Sequence, residues 1–371
     1  MRVAMLCPYS LSRPGGVQGQ VIGLARALTA AGHDTVVLAP ADGDVDVPGL
    51  TPAAVVRLGG SVALPANGSV APVSLSPAAA VRAVRAVRGG GFDVLHLHEP
   101  LAPGPGYGCL VACALPKIGT FHRAGASTAY RLLRPLARLA ANRLAVRCAV
   151  SAEAESTARD ALGGSYEIVG NGIDMERFAR ASPWTTDGPT ILFVGRHEER
   201  KGLGVLLDAV GGLDAAHAPT VWVAGQGPDT ERLQRRHPPS PRLVWLGRVG
   251  DDELAARLAG AHVLCAPSLG GESFGVVLLE AMAARTAVVA SGLPGYASVV
   301  GDHAVLVPPG DVEALRLALA AVTADAAAGT GRCAPAALDA AFEHASQWAM
   351  PTVAARYVQI YEQAVAGAHR R

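Results

Sequence analysis

Short runs of apolar and β-branched residues recur along the whole chain and restrict the fold more than any other feature. The first half contains RVAMLC, TVVLA, FDVLHLH, KIGTFH and RCAVS, and the second half contains TILFVG, TVWVAG, RLVWLG, HVLCAPS, AVVAS and AVLVPP. Because these runs are largely continuous and do not alternate with polar residues, we expect strands covered on both faces, as in a parallel sheet.

The segments between these runs carry helical periodicity. Val17, Val21, Leu24, Ala25 and Leu28 fall at i, i+4, i+7, i+8 and i+11, the stripe of a helix that lies on a sheet. A strand followed by a helix, repeated through the chain, predicts a doubly wound α/β fold.

The chain length and two similar openings predict two domains. With 371 residues the chain is long enough for two, and MLCPYSLSRPGG and ILFVGRHEERKG each lead from a strand through a glycine-bearing loop to a helix. The turn residues Gly170, Asn171 and Gly172 predict the join. After Pro351, Val353, Tyr357, Ile360 and Tyr361 recur at helical spacing and predict a final helix.

Composition excludes several classes of protein. Half the residues are hydrophobic and 17% are charged, which is too apolar for a disordered chain. A net charge of +1 excludes a global basic field for nucleic acid. Six cysteines without a C-x-x-C pair predict a reduced, cytosolic protein. RVAMLC stops at Pro8 and is interpreted as a strand rather than a signal peptide, and no run is long enough to span a bilayer.

Two glycine-bearing loops are candidates for phosphate binding. In RPGGVQGQ, Gly15 and Gly16 precede a helix whose free backbone N–H groups can receive phosphate oxygens, although such a turn is often only a turn. In GRHEERKG, Arg196 and Lys201 follow a strand and could neutralise a diphosphate leaving group. The alternative is a solvated loop whose cations pair with neighbouring glutamates, Glu198 and Glu199.

The stretch SLGGESFGVVLLEAMA places two carboxylates around a glycine turn and a helix start. Glu280 stands in an otherwise apolar run, where a carboxylate needs hydrogen-bond partners such as ribose hydroxyls. Glu272 precedes the helix and is exposed by the turn. Capping by Glu272 and snorkelling by Glu280 are the structural alternative, and the pair favours a ligand site.

Other polar groups give weaker signals. His96, His98 and His122 lie at strand ends but lack a clustered third ligand, so we expect no metal site. The acidic run DGDVD is interpreted as a solvated loop.

Three arginines recur at every third position of an Ala/Val helix. Arg82, Arg85 and Arg88 could contact an anionic membrane. The alternative is an ordinary surface helix whose row Val81, Val84 and Val87 packs on the sheet.

In combination these motifs resemble a known family. PGGVQ, HLHEP, TFH, NGID, GR with RKG, and GGESFG with VLLEA occur in the order found in the retaining glycosyltransferases of GT-B fold, which use nucleotide sugars. MLCPYSLSRPGGVQ, LPANGSVA and CAPSLGGESFGVVLLEAMAA look most like the actinobacterial phosphatidylinositol mannosyltransferases. The resemblance spans nearly the whole chain.

The resemblance implies two Rossmann-like domains facing across a cleft, and no metal or other cofactor. Residues 1–169 with a C-terminal helix at 351–371 would form the acceptor and membrane-side domain, and residues 170–350 the nucleotide-sugar donor domain. The implied donor-binding residues are Gly16, Arg196, Lys201, Val249, Glu272, Phe274, Gly275, Val276 and Glu280. His122, Arg196, Lys201 and Glu272 would be catalytic. Tyr9, Asn67, Ser69 and Arg123 would meet the acceptor, and Arg82, Arg85 and Arg88 the membrane.

The chain departs from the family pattern at three places. Pro72 and Val73 stand where a basic residue for the lipid phosphate is expected, and RAGASTAY after TFH offers Arg123 but no lysine. The acceptor is therefore left open between phosphatidylinositol, another lipid and a soluble polyol. Arg285 stands where a glycine is usual, at a position interpreted as structural.

The resemblance predicts transfer of mannose from GDP-mannose to the inositol of phosphatidylinositol or a related anionic membrane lipid, with retention, by a cytoplasmic enzyme peripheral at the inner face of the membrane. A retaining hexosyltransferase with another nucleotide-sugar donor and a non-inositol acceptor is the first alternative. A non-catalytic sugar-nucleotide or lipid-binding protein is the second. A nicotinamide-dependent dehydrogenase is disfavoured because neither half carries G-x-G-x-x-G after its first strand.

Overall fold

The computed structural model describes residues 1–13, 15–66, 69–125, 134–214 and 218–369. Its contacts divide the chain into two compact units, a first unit of Met1–Gly172 with Met350–Arg371 and a second unit of Ile173–Ala349. The division falls directly after Gly172, the last residue of the turn at which the sequence places the join. The acceptor and donor roles assigned to the two parts remain predictions.

The first unit is built on a seven-stranded sheet of order β3-β2-β1-β6-β7-β8-β9, in which every pair is parallel. Its strands are β1 (Arg2–Leu6), β2 (Asp34–Ala39), β3 (Val55–Arg57), β6 (Val94–His98), β7 (Lys117–Phe121), β8 (Val146–Ala149) and β9 (Glu167–Ile168). Its helices are α1 (Gly16–Ala30), α2 (Pro77–Gly89), α3 (Pro105–Ala112), α4 (Arg134–Ala141), α5 (Ala152–Leu162) and α14 (Met350–His369).

Helices cover both faces of this sheet, which explains the continuous apolar strands. On one face, α2, α3, α4 and α5 bury small and apolar side chains, among them Ala83, Leu110, Ala140 and Ala158. On the other face, α1 and α14 bury Leu24, Leu28, Tyr357, Ile360 and Tyr361. Pro351 lies in the first turn of α14, where a missing N–H disrupts no helical bond.

The valine row of α2 packs in part. Val87 is buried and Val84 packs against the same cluster, whereas Val81 is 48% exposed. The reason is helical geometry: residues three apart drift around the helix, and the buried stripe Ala79, Ala83 and Val87, at i, i+4 and i+8, faces the sheet.

An antiparallel hairpin stands apart from the parallel sheet. It consists of β4 (Val62–Ala66) and β5 (Ser69–Val73), and Tyr9 forms an isolated antiparallel bridge with Val73. The loop after β1 is attached to it, since the backbone N–H of Ser10 donates to the carbonyl of Pro72 at 2.8 Å.

The second unit is a six-stranded parallel sheet of order β12-β11-β10-β13-β14-β15. Its strands are β10 (Thr190–Val194), β11 (Thr220–Ala224), β12 (Leu243–Gly247), β13 (Val263–Ala266), β14 (Ala287–Ser291) and β15 (Val305–Val307). Its helices are α6 (Met175–Ala179), α7 (Leu203–Gly211), α8 (Thr230–Arg236), α9 (Asp251–Gly260), α10 (Val276–Ala283), α11 (Pro294–Val300), α12 (Val312–Ala328) and α13 (Pro335–Ser346). Two buried clusters, one on each face, hold the helices to it.

Both sheets have the doubly wound arrangement predicted from the sequence. In the first unit the strand order reverses between β1 and β6, and in the second between β10 and β13. Loops that leave neighbouring strands at such a switch point diverge and leave a crevice, the usual ligand position in open α/β sheets. The predicted α/β class with two Rossmann-like sheets is confirmed.

Candidate active site

The switch point of the second unit collects most of the predicted donor residues. The loop after β10 carries Arg196 and, in a short 3-10 turn Glu199–Lys201, Lys201. The loop after β13 carries Glu272 and ends at Gly275, the N-cap of α10. Val249 lies in the loop after β12, and Val276 is the first residue of α10.

Glycines let the two central loops approach each other. Gly202 has φ +69°, and a Cβ there would lie 1.8 Å from the carbonyl oxygen of Pro267. Gly275 has φ +94°, and its Cβ would lie 2.6 Å from the ring of Tyr296. Both positions need the left-handed backbone and the space that only glycine gives.

A carboxylate joins the two loops by ion pairs. Glu272 Oε1 lies 2.7 Å from Lys201 Nζ and 2.9 Å from Arg200 Nη1. Its side chain is 11% exposed, so the pairs are largely shielded from water. Ser268 Oγ donates to the same oxygen at 3.4 Å and lies 3.0 Å from Tyr296 Oη.

Arg196 and Lys201 have different partners. Arg196 Nε lies 3.0 Å from Glu198 Oε1, and the other Glu198 oxygen pairs with Arg200 at 3.1 Å. The alternative of a loop neutralised by its own glutamates therefore holds for Arg196 and Glu198. It does not hold for Lys201, whose ammonium group pairs across the switch point with Glu272.

Glu280 is a partly buried carboxylate on α10. Burial raises its pKa to about 7, and the nearby Arg177 guanidinium opposes the rise while Asp251 adds to it. Arg177 in turn pairs with Asp251 at 3.2 Å and donates to its backbone carbonyl at 3.3 Å. Arg177 thereby connects the region of Glu280 to the start of α9, next to Val249.

The ring of Phe274 is a core side chain. It is 4% exposed, packs in the cluster that covers one face of the second sheet, and lies edge-to-face with Trp348 at 6.3 Å. A part in sugar binding, as the resemblance implied, would therefore fall to its backbone.

In the first unit, Gly16 is the first residue of α1, preceded by the N-cap Gly15. A Cβ on Gly16 would meet nothing within 4 Å, so the backbone is open on that side. Gln18 secures the preceding loop, because its amide donates to the carbonyls of Ser10 and Arg13 at 3.3 and 3.0 Å. This is the geometry of a helix N-terminus that can receive an anion.

His122 is held by its neighbours. Its backbone N–H donates to Glu99 Oε1 at 2.6 Å, and its Nε2 lies 2.9 Å from His98 Nδ1. Burial lowers the pKa of His122 to about 4, and a hydrogen bond with the Asn171 side chain opposes that shift. The ring is therefore neutral at pH 7, with its orientation fixed by His98 and Asn171.

His96 and Asp42 have their polar atoms engaged by neighbouring residues. His96 is a satisfied core side chain, since its ring nitrogens lie 2.7 Å from Tyr361 Oη and 2.7 Å from Thr120 Oγ1. Over the described ranges, no group of three His, Cys, Asp or Glu side chains is placed to hold a metal ion. In DGDVD, Asp42 accepts from the Ser61 N–H at 2.6 Å and from the Ser10 hydroxyl at 3.0 Å, which secures a loop.

Of the predicted acceptor residues, Tyr9 and Arg123 lie near each other. Tyr9 lies close enough to Glu99 and Arg123 to feel both charges; burial and Glu99 raise its pKa, and Arg123 opposes them. Ser69 begins β5, and its side chain lies outside the described residues, as does the whole of Asn67.

The arginines of α2 differ in their surroundings. Arg82 Nε donates to the carbonyl of Leu58 at 3.0 Å, and Arg88 Nη2 donates to that of Ala112 at 2.5 Å. Arg85 is exposed. Two of the three predicted membrane residues thus also hold the helix to its neighbours. Within the described chain, no helix is both long and apolar enough to cross a bilayer.

Three residues of these sites were not identified from the sequence. Arg200 lies in the ERKG run that supplied Lys201, but nothing in that run showed that it would pair with Glu272. Arg177 lies in a segment interpreted as a domain join, and Asn171 in the turn before it. The sequence signal for this segment is the turn at Asn171 and Gly172 followed by Asp174, which caps the N-terminus of α6. These residues predict an ordered loop after the last strand of the first sheet.

Comparison with known proteins identifies the family. Residues 14–177 match the model described as Glycosyltransferase Family 4, and residues 188–325 match Glycosyl transferases group 1. The chain is 38% identical over 370 residues to the phosphatidyl-myo-inositol mannosyltransferase of Mycolicibacterium smegmatis, covering 98% of this chain and 94% of that protein. The protein so named from Propionibacterium freudenreichii is 37% identical, covering 83% and 81%. The chain belongs to this glycosyltransferase family.

Solved structures establish the fold of this glycosyltransferase. Sucrose-phosphate synthase from Thermosynechococcus elongatus has a TM-score of 0.78 at 21% identity, covering 99% of both chains. HepE of Anabaena, solved in complex with UDP-glucose, has a TM-score of 0.73 at 17% identity, covering 98% of this chain and 100% of HepE. The GT-B fold predicted from the motifs is confirmed, as is the predicted family.

Proposed function

We propose that this glycosyltransferase moves mannose from GDP-mannose to the inositol of phosphatidylinositol or a related anionic membrane lipid, with retention of configuration. The observation that carries the proposal is the meeting of Lys201 and Glu272 at the switch point of the second unit, 2.7 Å apart. The sugar and the acceptor follow the names of the relatives, phosphatidyl-myo-inositol mannosyltransferases that align with up to 98% of the chain. GDP as the carrier and retention of configuration follow the resemblance of the sequence motifs alone.

The charge of the loops suits a diphosphate. Arg196, Arg200 and Lys201 lie within a few residues of one another, and Glu198 and Glu272 hold them in place. A nucleoside diphosphate leaving group gains charge as its bond to the sugar breaks, so preorganised cations stabilise the transition state more than the ground state. We assign this part to Arg196 and Lys201.

Glu280 is assigned to the ribose. Vicinal hydroxyls are donors that an ionised carboxylate in a partly buried position needs, and they would lower the raised pKa of Glu280 on binding. Val249 lies two residues before Asp251, the ion-pair partner of Arg177, in the chain segment assigned to the base. The backbone at Phe274, Gly275 and Val276 is assigned to the sugar.

The proposed reaction balances without a side-chain nucleophile. The bond from the sugar anomeric carbon to the phosphate oxygen breaks towards an oxocarbenium-like state, and an inositol hydroxyl oxygen attacks on the same face. The leaving phosphate oxygen takes the hydroxyl proton, which gives the mannoside and GDP. His122 is neutral at pH 7 and would act as a hydrogen-bonding group rather than as a cation.

The roles of Gly16, Tyr9, Asn67, Ser69 and Arg123 remain those the resemblance implied. Tyr9 and Arg123 lie within electrostatic range of each other in the first unit, which is consistent with a shared place at the acceptor. We propose that Arg123 meets the lipid phosphate in place of the basic residue absent at Pro72 and Val73, and that the enzyme works at the cytoplasmic face of the membrane.

The test is transfer of radiolabelled mannose from GDP-mannose to membrane lipid extracts with and without phosphatidylinositol. We expect a labelled lipid only with phosphatidylinositol, and an α-linked product by NMR. Transfer of label from a UDP-sugar, or transfer to a soluble polyol, would instead establish the alternative function, a hexosyltransferase with another donor or another acceptor. No transfer from any donor that binds would establish a non-catalytic protein.

Substitution of the cations tests the site. Lys201→Ala should lower kcat by roughly two orders of magnitude or more, because a fixed charge on the leaving group is lost. Arg235→Ala, an exposed cation on α8 of the same unit, is the matched control and should leave the rate unchanged. Wild-type rates in the double variant Arg196→Ala/Lys201→Ala refute the diphosphate assignment.

A further inference from the structure

Strand β6 is followed by a residue whose backbone conformation is uncommon for its type. Glu99 has φ +46°, in the left-handed region that glycine adopts at no cost and glutamate only under strain. Among the described residues other than glycine, only Glu99 and Arg285 have a positive φ. Since a glycine would make this turn without strain, the glutamate indicates that its side chain is needed there.

The turn at Glu99 takes the chain out of the first sheet one hydrogen bond early. The N–H of Glu99 still donates to the carbonyl of Thr120 on β7, at 2.8 Å. In a regular parallel ladder the next bond would run from the N–H of residue 122 to the carbonyl of residue 99. That carbonyl accepts instead from the N–H of Ala102, at 2.9 Å. The N–H of His122 is therefore without its usual backbone acceptor on β6.

The carboxylate of Glu99 replaces this acceptor. Its Oε1 accepts from the N–H of His122 at 2.6 Å, and the carboxylate also accepts from the N–H of Arg123. Glu99 is 7% exposed, so both bonds are shielded from water, and hydrogen bonds to a charged acceptor are the stronger kind. One side chain thus holds the two consecutive residues that follow β7.

The electrostatic surroundings of Glu99 depend on the same two residues. Burial raises the pKa of Glu99, and the N–H of His122 together with the charge and the N–H of Arg123 opposes the rise. Glu99 also lies within electrostatic range of Tyr9, whose pKa is raised by burial and by the Glu99 charge. Glu99 therefore lies among three residues that the resemblance places at the sugar and the acceptor.

We propose that Glu99 is a positioning residue for the transfer reaction, which holds the backbone of His122 and Arg123 so that the histidine ring meets the sugar and the guanidinium meets the acceptor phosphate. The inference rests on the proposed function, which assigns those parts to His122 and Arg123. It adds a residue to which the resemblance gave no part. Glu99 acts through these two residues, and the precision of their placement sets the rate.

The first test is the rate of mannose transfer from radiolabelled GDP-mannose to vesicles that contain phosphatidylinositol. In Glu99→Gln the side chain keeps its size, but its NH₂ group faces one of the two N–H donors, so the loop should shift. We expect kcat to fall about tenfold to a hundredfold, as for a displacement of up to about 1 Å. The affinity for GDP should stay within about twofold, because Arg196, Lys201 and Glu280 belong to the second unit.

Asp93 offers a matched control at the opposite end of the same strand. It directly precedes β6, and its Oδ2 accepts from the backbone N–H of Arg2 at 2.7 Å. Asp93→Asn should therefore keep the wild-type kcat. Glu99→Gly is the second variant, because glycine adopts φ +46° without strain and the carboxylate is lost at no new backbone cost. It should lower kcat at least as much as Glu99→Gln.

A double-mutant cycle separates positioning from a general loss of structure. In the background His122→Ala/Arg123→Ala, the side chains that Glu99 positions are absent. Glu99→Gln should therefore lower kcat by less than about twofold in that background. The same factor in both backgrounds, or a wild-type kcat in Glu99→Gln, overturns the proposal.

Hydrogen exchange of the backbone amides tests the contact without any turnover. The amides of His122 and Arg123 should exchange at least about tenfold faster in Glu99→Gly than in the wild type, and Asp93→Asn should not change them. Unchanged exchange overturns the proposal. A wild type that transfers no mannose overturns the proposed reaction, whereas an active wild type with a fully active Glu99→Gln variant overturns this inference alone.

Discussion

Glu280 is a partly buried carboxylate whose protonation depends on its surroundings. Its pKa is raised to about 7 by burial, against the ordinary value of 4.5, with Arg177 opposing the shift. The folded state therefore keeps a proton that the unfolded chain releases as pH rises above 4.5. The stability linked to that proton is fully present below pH 4.5 and is lost as pH rises through about 7.

We expect Glu280→Gln to gain stability relative to wild type as pH rises. Glutamine has no proton to lose, so the difference in free energy of unfolding between variant and wild type should grow between pH 5 and pH 8. Urea denaturation at several pH values measures it. A difference independent of pH would show that Glu280 titrates normally.

The same substitution should weaken binding of GDP, because the ionised carboxylate for the ribose is lost.

Arg285 stands where the family pattern usually has a glycine, and its contacts account for this difference. It has φ +56°, the left-handed region that favours glycine, directly after α10. The residue keeps two contacts that a glycine lacks: Nε lies 2.7 Å from Asp339 Oδ1, and the guanidinium lies 4.2 Å from the centre of the Phe342 ring. These contacts offset the backbone cost, and they lie at the end of α10 away from Glu272, so the substitution concerns stability.

At the scale of elements, the site depends on how closely two loops approach. The loop after β10 can reach the loop after β13 only because Gly202 has no Cβ, which would lie 1.8 Å from the carbonyl of Pro267. The approach brings Lys201 to Glu272. A change at Gly202 should therefore affect ligand binding through the backbone, without removing any charged group.

Gly202→Ala should destabilise the second unit by about 3 kcal/mol or more, since neither the φ of +69° nor the backbone contact can relax cheaply. Gly211→Ala is the control: it lies in α7 of the same unit, and its Cβ would meet nothing within 4 Å. It should change stability by less than about 1 kcal/mol. Urea denaturation and donor affinity check both variants. Equal effects of the two substitutions would contradict the close approach.

The sequence predicts the strands of the parallel sheets better than it predicts the hairpin or the orientation of side chains in the site. Apolar runs predicted all six strands of the second sheet and five of the seven in the first, because strands buried on both faces are apolar at nearly every position. The short edge strands β3 and β9 were not among these runs. The β4–β5 hairpin was not predicted, since Pro65 and Pro72 interrupt its strands. Phe274 was placed at the sugar from the motif, yet its ring is buried. A motif records which residues recur, not whether the side chain or the backbone faces a ligand.

For the whole molecule, the distribution of aromatic residues separates the two units. All four tryptophans, Trp184, Trp222, Trp245 and Trp348, belong to the second unit. In the first unit the large buried aromatic side chains come from α14. Its Tyr357 and Tyr361 pack against β6, β7 and α1. Tryptophan fluorescence therefore follows the second unit alone, whereas far-UV circular dichroism follows both.

Tyr361→Ala should unfold the first unit at lower temperature than the second. It removes a fully buried aromatic ring and leaves His96 Nδ1 without the hydroxyl now 2.7 Å away, which should cost about 3–5 kcal/mol. Tyr361→Phe keeps the ring and should cost only about 1 kcal/mol. We expect part of the circular dichroism transition to move down in Tyr361→Ala while the fluorescence midpoint stays in place, because each unit has its own core. If the two signals shift together, the cores unfold as one cooperative unit and the C-terminal helix stabilises the entire chain.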